Sequence, residues 1–334
     1  MKRIIMGAII LLLVTMVDAG FAQKQAEEIL KAIVKIRAVI PEGAMTAPLL
    51  GTEREGNGVV IDSDGYILTI GYVILEAESI EVLGPGDRVI NAKNVGYDYD
   101  TGFGLIKAEK PLDATPLQLG SSFGLKPGDP ALVAGHTGSE AVAGVRIVSR
   151  GEFVGYWEYL LEHAIYTTPP YQNYGGAALI GPDGSLLGIG SILTRVEIAG
   201  FGTVPVNMFV PIDLLKPILS DLKTAGRPRQ PEKPWLGVHT EESHGRVFIT
   251  RLMPEGPGEK SNLQAGDLIL KVNQQPVNGQ ADFYRKVWAL GSAGVKVPLS
   301  ILRGTEIQAV TVQSADRYQF FRPNPESEVK RKEL

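Results

Sequence analysis

The chain has 334 residues, 44% of them apolar and 21% charged, with no cysteine and a net charge of −4. That length suits about two domains. Zero cysteine excludes a disulfide framework, a thiol nucleophile, cysteine-ligated zinc and a lipidated N-terminal cysteine, and the weak acidity offers nucleic acid or an anionic membrane surface no attraction.

Lys2 and Arg3 precede an apolar run of 14 residues, Ile4 to Val17, shorter than the roughly 17–25 residues that span a bilayer. Gly20, Phe21 and Ala22 then place small residues where a signal peptidase reads. Residues 1–22 are expected to be a signal peptide cut after Ala22, with an uncleaved anchor as the competing reading. No later run is apolar enough to span, so no stable membrane span is expected after cleavage. A bacterial periplasmic or secreted location follows, and the missing cysteines suit it. In residues 23–38, Ala26, Leu30, Ile33 and Val34 recur at helical spacing, which predicts a short amphipathic helix running into a strand. From Gly56 the text changes to short apolar runs cut by Asp-Gly, Pro-Gly and Gly-Asp pairs, the pattern of a β barrel or sandwich. Pro211 to Leu222 is predicted to close the unit with a helix, its apolar residues at Leu214, Leu215, Ile218 and Leu222. Residues 23–223 thus form one unit. Residues 224–234, with three prolines, read as a stiff exposed linker, 235–316 as a second unit, and 317–334 as a polar tail that frays from about Arg322.

One internal echo stands out. Val60 to Leu68 aligns with Leu179 to Leu187, each reading apolar strand, Asp-Gly turn, apolar strand. Either all hairpins look alike, or a half-barrel has been duplicated.

Several segments in order carry a family resemblance. Gly56 to Thr69, GNGVVIDSDGYILT, is similar to the Deg/HtrA motif G-S-G-V-I-I-x-x-D-G-Y-I-L-T. Val95-Gly96-Tyr97-Asp98 is similar to its V-G-x-D, Asn173 to Gly176 to its N-S-G-G, Phe209 to Ile212 to its F-A-I-P, and Trp235 to Val238 to its W-L-G-V. The chain resembles the Deg/HtrA family of trypsin-like serine proteases with a C-terminal PDZ domain. The resemblance implies a mainly β protein: a trypsin-like double β-barrel, then a PDZ domain built as a partly open β-barrel with two helices.

The chemistry departs from the motif. A serine protease needs a hydroxyl nucleophile, an imidazole base and a carboxylate that orients it. Where the family has histidine in T-N-x-H-V, this chain has Tyr72; where it has aspartate in D-L-A-V-L-K, Gly102; where it has serine in P-G-N-S-G-G, Tyr174. Asp98 and Asp100 lie near Gly102 without inheriting its place. Gln172 replaces a glycine that helps to form the oxyanion hole. His136 matches a non-catalytic turn of the family, and His163 lies before the degenerate serine segment. These positions lead to the expectation that the chain is an inactive homologue, a pseudoprotease, and not an enzyme. The alternative is an active serine endopeptidase with a relocated site.

In the second unit, Trp235, Leu236, Gly237 and Val238 fit the loop whose backbone N–H groups capture a peptide's terminal carboxylate in PDZ domains. Ala281 to Leu290 reads as a helix with Phe283, Val287 and Leu290 on one apolar face. The resemblance places Phe283 and Val287 in the floor of a peptide groove, whereas plain core packing explains them as well. His239 and His244, near Glu241 and Glu242, lack zinc spacing, so neither metal nor cofactor is expected. The partners implied are peptides or unfolded protein C-termini, with a homo- or hetero-trimer of Deg/HtrA-like relatives as a further implication. The role is that of a regulator, a chaperone-like protein or an adaptor.

Overall fold

The computed structural model describes residues 27–136, 141–198, 200 and 202–321. The expected signal peptide lies outside the described residues. Residues 27–31 are helical and run into β1 (Ile33–Val39). Along β1 the side chains alternate, with Ile36 and Ala38 buried and Arg37 exposed, as one face of a barrel wall requires.

Six strands close the first barrel: β1, β2 (Glu53–Val60), β3 (Tyr66–Ile70), β4 (Ser79–Leu83), β5 (Val89–Tyr97) and β6 (Phe103–Ala108). Their order is β1-β2-β3-β6-β5-β4, with β4 pairing back to β1. The second barrel holds β7 (Pro130–Ala134), β8 (Val142–Gly155), β9 (Tyr159–Thr168), β10 (Ala178–Ile180), β11 (Leu186–Ile198) and β12 (Gly202–Pro211). Its closed order, β7-β8-β9-β12-β11-β10, repeats that of the first. Closure leaves neither barrel a free edge.

The repeated topology is not what the echo recorded. The two echoed hairpins are the second and third strands of one barrel and the fourth and fifth of the other. They resemble each other because both are tight Asp-Gly turns. In the first, the Asp62 carboxylate accepts from the N–H groups of Asp64 and Tyr66 at 3.0 and 3.1 Å, local chemistry that any such turn uses.

The helix expected over 211–222 is split. A 3-10 turn covers Ile212–Leu214, and α1 (Leu219–Ala225) begins two residues after Pro217. Proline has no N–H to donate and its ring clashes with the preceding turn, so one continuous helix cannot run through 217.

The PDZ unit contains β13 (Val238–Ser243), β14 (Arg246–Leu252), β15 (Leu268–Val272), β16 (Gln275–Pro276), β17 (Lys296–Arg303) and β18 (Glu306–Gln313) in one sheet. A single turn, Pro257–Lys260, and α2 (Gln280–Trp288) complete it. β13 is an edge strand, paired only with β14. The unit has its own core, in which Leu236, Val238, Ile249, Phe283, Val287 and Ile301 are all buried.

Two connections differ from expectation. The Pro-rich linker is not simply exposed: Pro228 and Pro234 are buried, Lys233 pairs with Asp100 at 3.0 Å and Arg227 with Asp316 at 2.9 Å. The first residues of the expected tail are packed as well. Tyr318 donates from its hydroxyl to the Tyr97 carbonyl at 2.8 Å. Its ring lies 4.5 Å from that of Tyr99, and Phe321 and Trp235 join the same cluster. Exposed ion pairs contribute about 0–1 kcal/mol each, whereas truncating a buried aromatic costs about 3–5 kcal/mol. The aromatic cluster, not the ion pairs, therefore holds the PDZ entry and exit against the first barrel.

Arg54 on β2 is buried and fixes the turn that carries Tyr72. Its guanidinium donates to the carbonyls of Tyr72 (2.8 Å) and Leu75 (3.0 Å), and to the Thr46 hydroxyl (2.8 Å). Burial holds its pKa below the usual arginine value, against the nearby Glu76 carboxylate. Arg54→Met leaves those carbonyls unpaired beside a buried acid. It is expected to cost about 3 kcal/mol, read as a lowered urea midpoint of the full chain.

Candidate functional site

Two places gather the residues singled out by sequence. The first is a cleft of about 260 Å³ between the barrels, lined by β1, β2, the turn after β3 and the loop before β10. Asn57 on β2 ties its walls together. Its N–H donates to the Gly175 carbonyl at 2.7 Å, and its side-chain amide donates to the carbonyls of Asn173 at 2.7 Å and Gly175 at 3.1 Å. The amide oxygen accepts from the His136 N–H at 2.8 Å. Gly176 has φ +76°, and a Cβ there would meet the Asn57 carbonyl at 1.9 Å. No other residue fits without moving the loop.

Tyr72 and Tyr174 both line this cleft, so the structure brings these two positions together. Tyr72 is half-buried and donates from its hydroxyl to the Ser191 carbonyl at 2.8 Å. Burial, and then the neighbouring Tyr174, hold its phenol well above its ordinary titration range. It is a donor here, committed to a carbonyl, and does not act as a base. Gly102 has φ +79° and donates to the Asp98 carbonyl at 2.8 Å. It closes a tight turn in a backbone conformation that a side chain such as aspartate adopts only at a cost. Asp98 caps that turn, accepting from the Thr101 N–H at 3.0 Å and the Thr101 hydroxyl at 2.5 Å. Asp100 pairs with Lys233. At the rim, Lys35 and then Arg37 pair with Glu55 and hold its carboxyl below the usual range.

The second place is the PDZ loop. The N–H groups of Leu236 and Val238 do converge on a carboxylate, that of Glu158. They donate to its two oxygens at 2.9 and 3.0 Å. Glu158 sits on the β8–β9 turn of the second barrel, buried, with φ +56°. Beside it the Thr240 N–H of β13 donates to the Tyr156 carbonyl at 2.9 Å. From α2, the Tyr284 hydroxyl donates to the Gly155 carbonyl at 2.9 Å, and the Gln280 amide donates to the Thr240 carbonyl at 3.0 Å. Val154 and Leu160 pack on the PDZ core.

Leu236, Val238, Phe283 and Val287 are all buried in that core, and Gly237 has φ +70° in the loop. Trp235 turns elsewhere, its ring 4.6 Å from that of Phe320. Glu158, Thr240, Gln280 and Tyr284 were not found by sequence. A usable signal was the run Tyr156-Trp157-Glu158-Tyr159, since three aromatics at a hairpin tip are out of place in solvent. His239 meets the Tyr156 ring edge-on at 5.2 Å, and burial lowers its pKa to about 4. Among the described residues no group of three or more His, Asp or Glu side chains is placed to hold a metal.

The chain matches the model of the trypsin-like peptidase domain over residues 56–189 and that of the PDZ domain over 234–313. It belongs to the Deg/HtrA family. A probable periplasmic serine endoprotease DegP-like protein of Pseudomonas fluorescens is 30% identical over 74% of this chain and 53% of its own length. The periplasmic pH-dependent serine endoprotease DegQ of Escherichia coli is 28% identical over 75% of this chain and 57% of its own. The chain thus spans about half the length of the curated relatives it matches. The HtrA-type protease AlgW with decapeptide shares the fold, with a TM-score of 0.52 at 21% identity over 90% of this chain and 98% of that one.

These findings correct one expectation. The reading of this Deg/HtrA chain as an inactive homologue rested on three aligned positions. Its relatives are named as serine endoproteases, which points to a protease. Replacing side chains at aligned positions removes the family's arrangement without measuring turnover. The same relatives make the chain periplasmic or secreted.

Two outcomes follow from the geometry. Gly176→Ala is expected to destabilise the chain by more than about 2 kcal/mol through the forced left-handed conformation and the clash, checked by urea unfolding. The second concerns Glu158, whose carboxyl burial raises to about 7, against the N–H groups of Leu236, Val238 and Gly237 and the Arg317 guanidinium. Tyr284 also faces it. The packed state holds the proton where the unfolded chain, near 4.5, has lost it. The resulting stability is complete below about 4.5 and lost as pH rises through about 7, a change of about 3 kcal/mol. The stability difference between wild type and Glu158→Gln should therefore shrink from pH 4.5 to 7.5. The opposite contribution of His239 is present in both proteins and cancels.

Proposed function

We propose that this Deg/HtrA-family protein recognises polypeptide C-termini through its PDZ unit and cleaves polypeptides in the periplasm as a serine-type endopeptidase with a relocated catalytic site. The observation that carries the recognition half is the pair of N–H groups, Leu236 and Val238, each donating to one oxygen of a carboxylate beside an edge strand. Two backbone donors on a carboxylate, next to a strand at the edge of its sheet, suit a peptide that adds as a strand and ends in that loop.

The cleavage half rests on the named activities of the relatives. We assign its base and nucleophile to groups other than Tyr72, Gly102 and Tyr174. A phenol pushed above its ordinary range stays protonated near neutral pH and accepts no proton, and glycine offers no side chain. The cleft between the barrels remains the place where an extended substrate would lie, because Asn57 holds both its walls.

Casein digestion by the purified chain tests this. Wild type is expected to cleave, and the double variant Tyr72→Phe, Tyr174→Phe to retain most of the rate. Loss of the rate in that variant would return the chemistry to the tyrosines. No cleavage by wild type would remove the endopeptidase half and leave recognition standing.

A further inference from the structure

We propose that the β8–β9 turn is an internal ligand of the PDZ groove, with the Glu158 side-chain carboxylate standing where the terminal carboxylate of a peptide would bind, so that a peptide enters by displacing the turn. The inference rests on the recognition reading above and goes beyond it, because it states what fills the groove in the absence of peptide.

Four observations carry it. The carboxylate is held through both oxygens, by the N–H groups of Leu236 and Val238. The turn also runs in the right sense. From Val238 to Thr240 the edge strand advances by two residues, while its partners step back from Glu158 to Tyr156. An antiparallel peptide ending in the loop would make the same pattern. The helix side is engaged too, since the Tyr284 hydroxyl donates to the Gly155 carbonyl and accepts from the Glu158 N–H at 3.2 Å. Arg285 of α2 adds ion pairs to Glu152 and, at 3.8 Å, to Glu162 at the base of the hairpin.

The backbone of Glu158 supplies the fourth. A glutamate at φ +56° is held in a conformation that favours glycine. Its carboxylate is also taken out of water. This second cost, desolvation, is offset only while the loop is occupied, and it is relieved when the turn lets go. The turn is thus built to bind and to be displaced. The exchange is one carboxylate for another, with the same two donors satisfied before and after.

The test uses the full chain and a library of fluorescent decapeptides with free carboxyl ends, randomised at the last three positions, beside the same library amidated. Glu158→Gly keeps the left-handed turn without strain and removes the carboxylate, and Glu158→Gln serves as the second variant. Both variants are expected to bind the free-acid library at least tenfold more tightly than wild type, and neither to bind the amidated library comparably. Equal affinity in wild type and both variants would overturn the internal ligand while leaving recognition intact. Binding by none of the three would remove recognition and displacement together. Amide hydrogen exchange decides the docking separately. In wild type the Leu236, Val238 and Thr240 amides should be protected, and in Glu158→Gly the first two should lose that protection. If those amides exchange freely in wild type, the turn is not docked and the proposal fails.

Discussion

A buried carboxyl group bound by backbone N–H groups is the constraint around which the second barrel and the PDZ unit are arranged. Burying a carboxyl group without hydrogen-bond partners is costly in either protonation state, so Glu158 is buried where donors meet it. The loop at Leu236–Val238 supplies them, and in doing so it sets the position of β13 and α2 against the second barrel. The side-chain contacts around it, from Tyr284, Gln280 and Thr240, then follow as a connected polar group whose members satisfy one another.

The first barrel contributes differently. Its attachment to the PDZ unit is aromatic: Tyr97, Tyr99, Trp235, Tyr318 and Phe321 form one cluster made from three separated stretches of chain. Such a cluster rests on apolar burial, whereas the Glu158 seam rests on a carboxyl that titrates. The PDZ unit is therefore held by two attachments of different physical kind. The cleft between the barrels is independent of both, because Asn57 and the glycines beside it bind its walls directly.

Much of this was legible in the chain because it depends on local chemistry. The Asp62 turn, the Trp235–Val238 loop and the Asn173–Gly176 segment are short patterns whose residues make their own conformation, and they mark the two barrels and the PDZ unit in order. The altered residues Tyr72, Gly102 and Tyr174 were visible for the same reason, but their consequence was not. Side-chain identity at three places says nothing of what else a cleft holds, and the family's named activities overturned the reading of inactivity. The split after Leu214 was readable in Pro217 and was hidden by the apolar spacing around it. The aromatic run around Glu158 marked its hairpin tip, but not what the carboxylate meets. Its partners lie 78 and 80 residues away, and a glutamate in a turn ordinarily faces water. Trp235 shows the converse, since its ring answers to Phe320, which sequence reading assigned to a polar tail.

The PDZ unit is tied to the first barrel at both its entry and its exit. A turn that leaves the groove therefore stays beside it, and its carboxylate remains at an effective concentration on the order of millimolar. An incoming peptide competes with that local concentration, so its apparent affinity is its intrinsic affinity scaled by the fraction of molecules in which the groove is open. Weak and abundant C-termini would then leave the groove closed. Only an end that binds well, or one presented many times on a single unfolded chain, would open it, which makes the double tether a threshold.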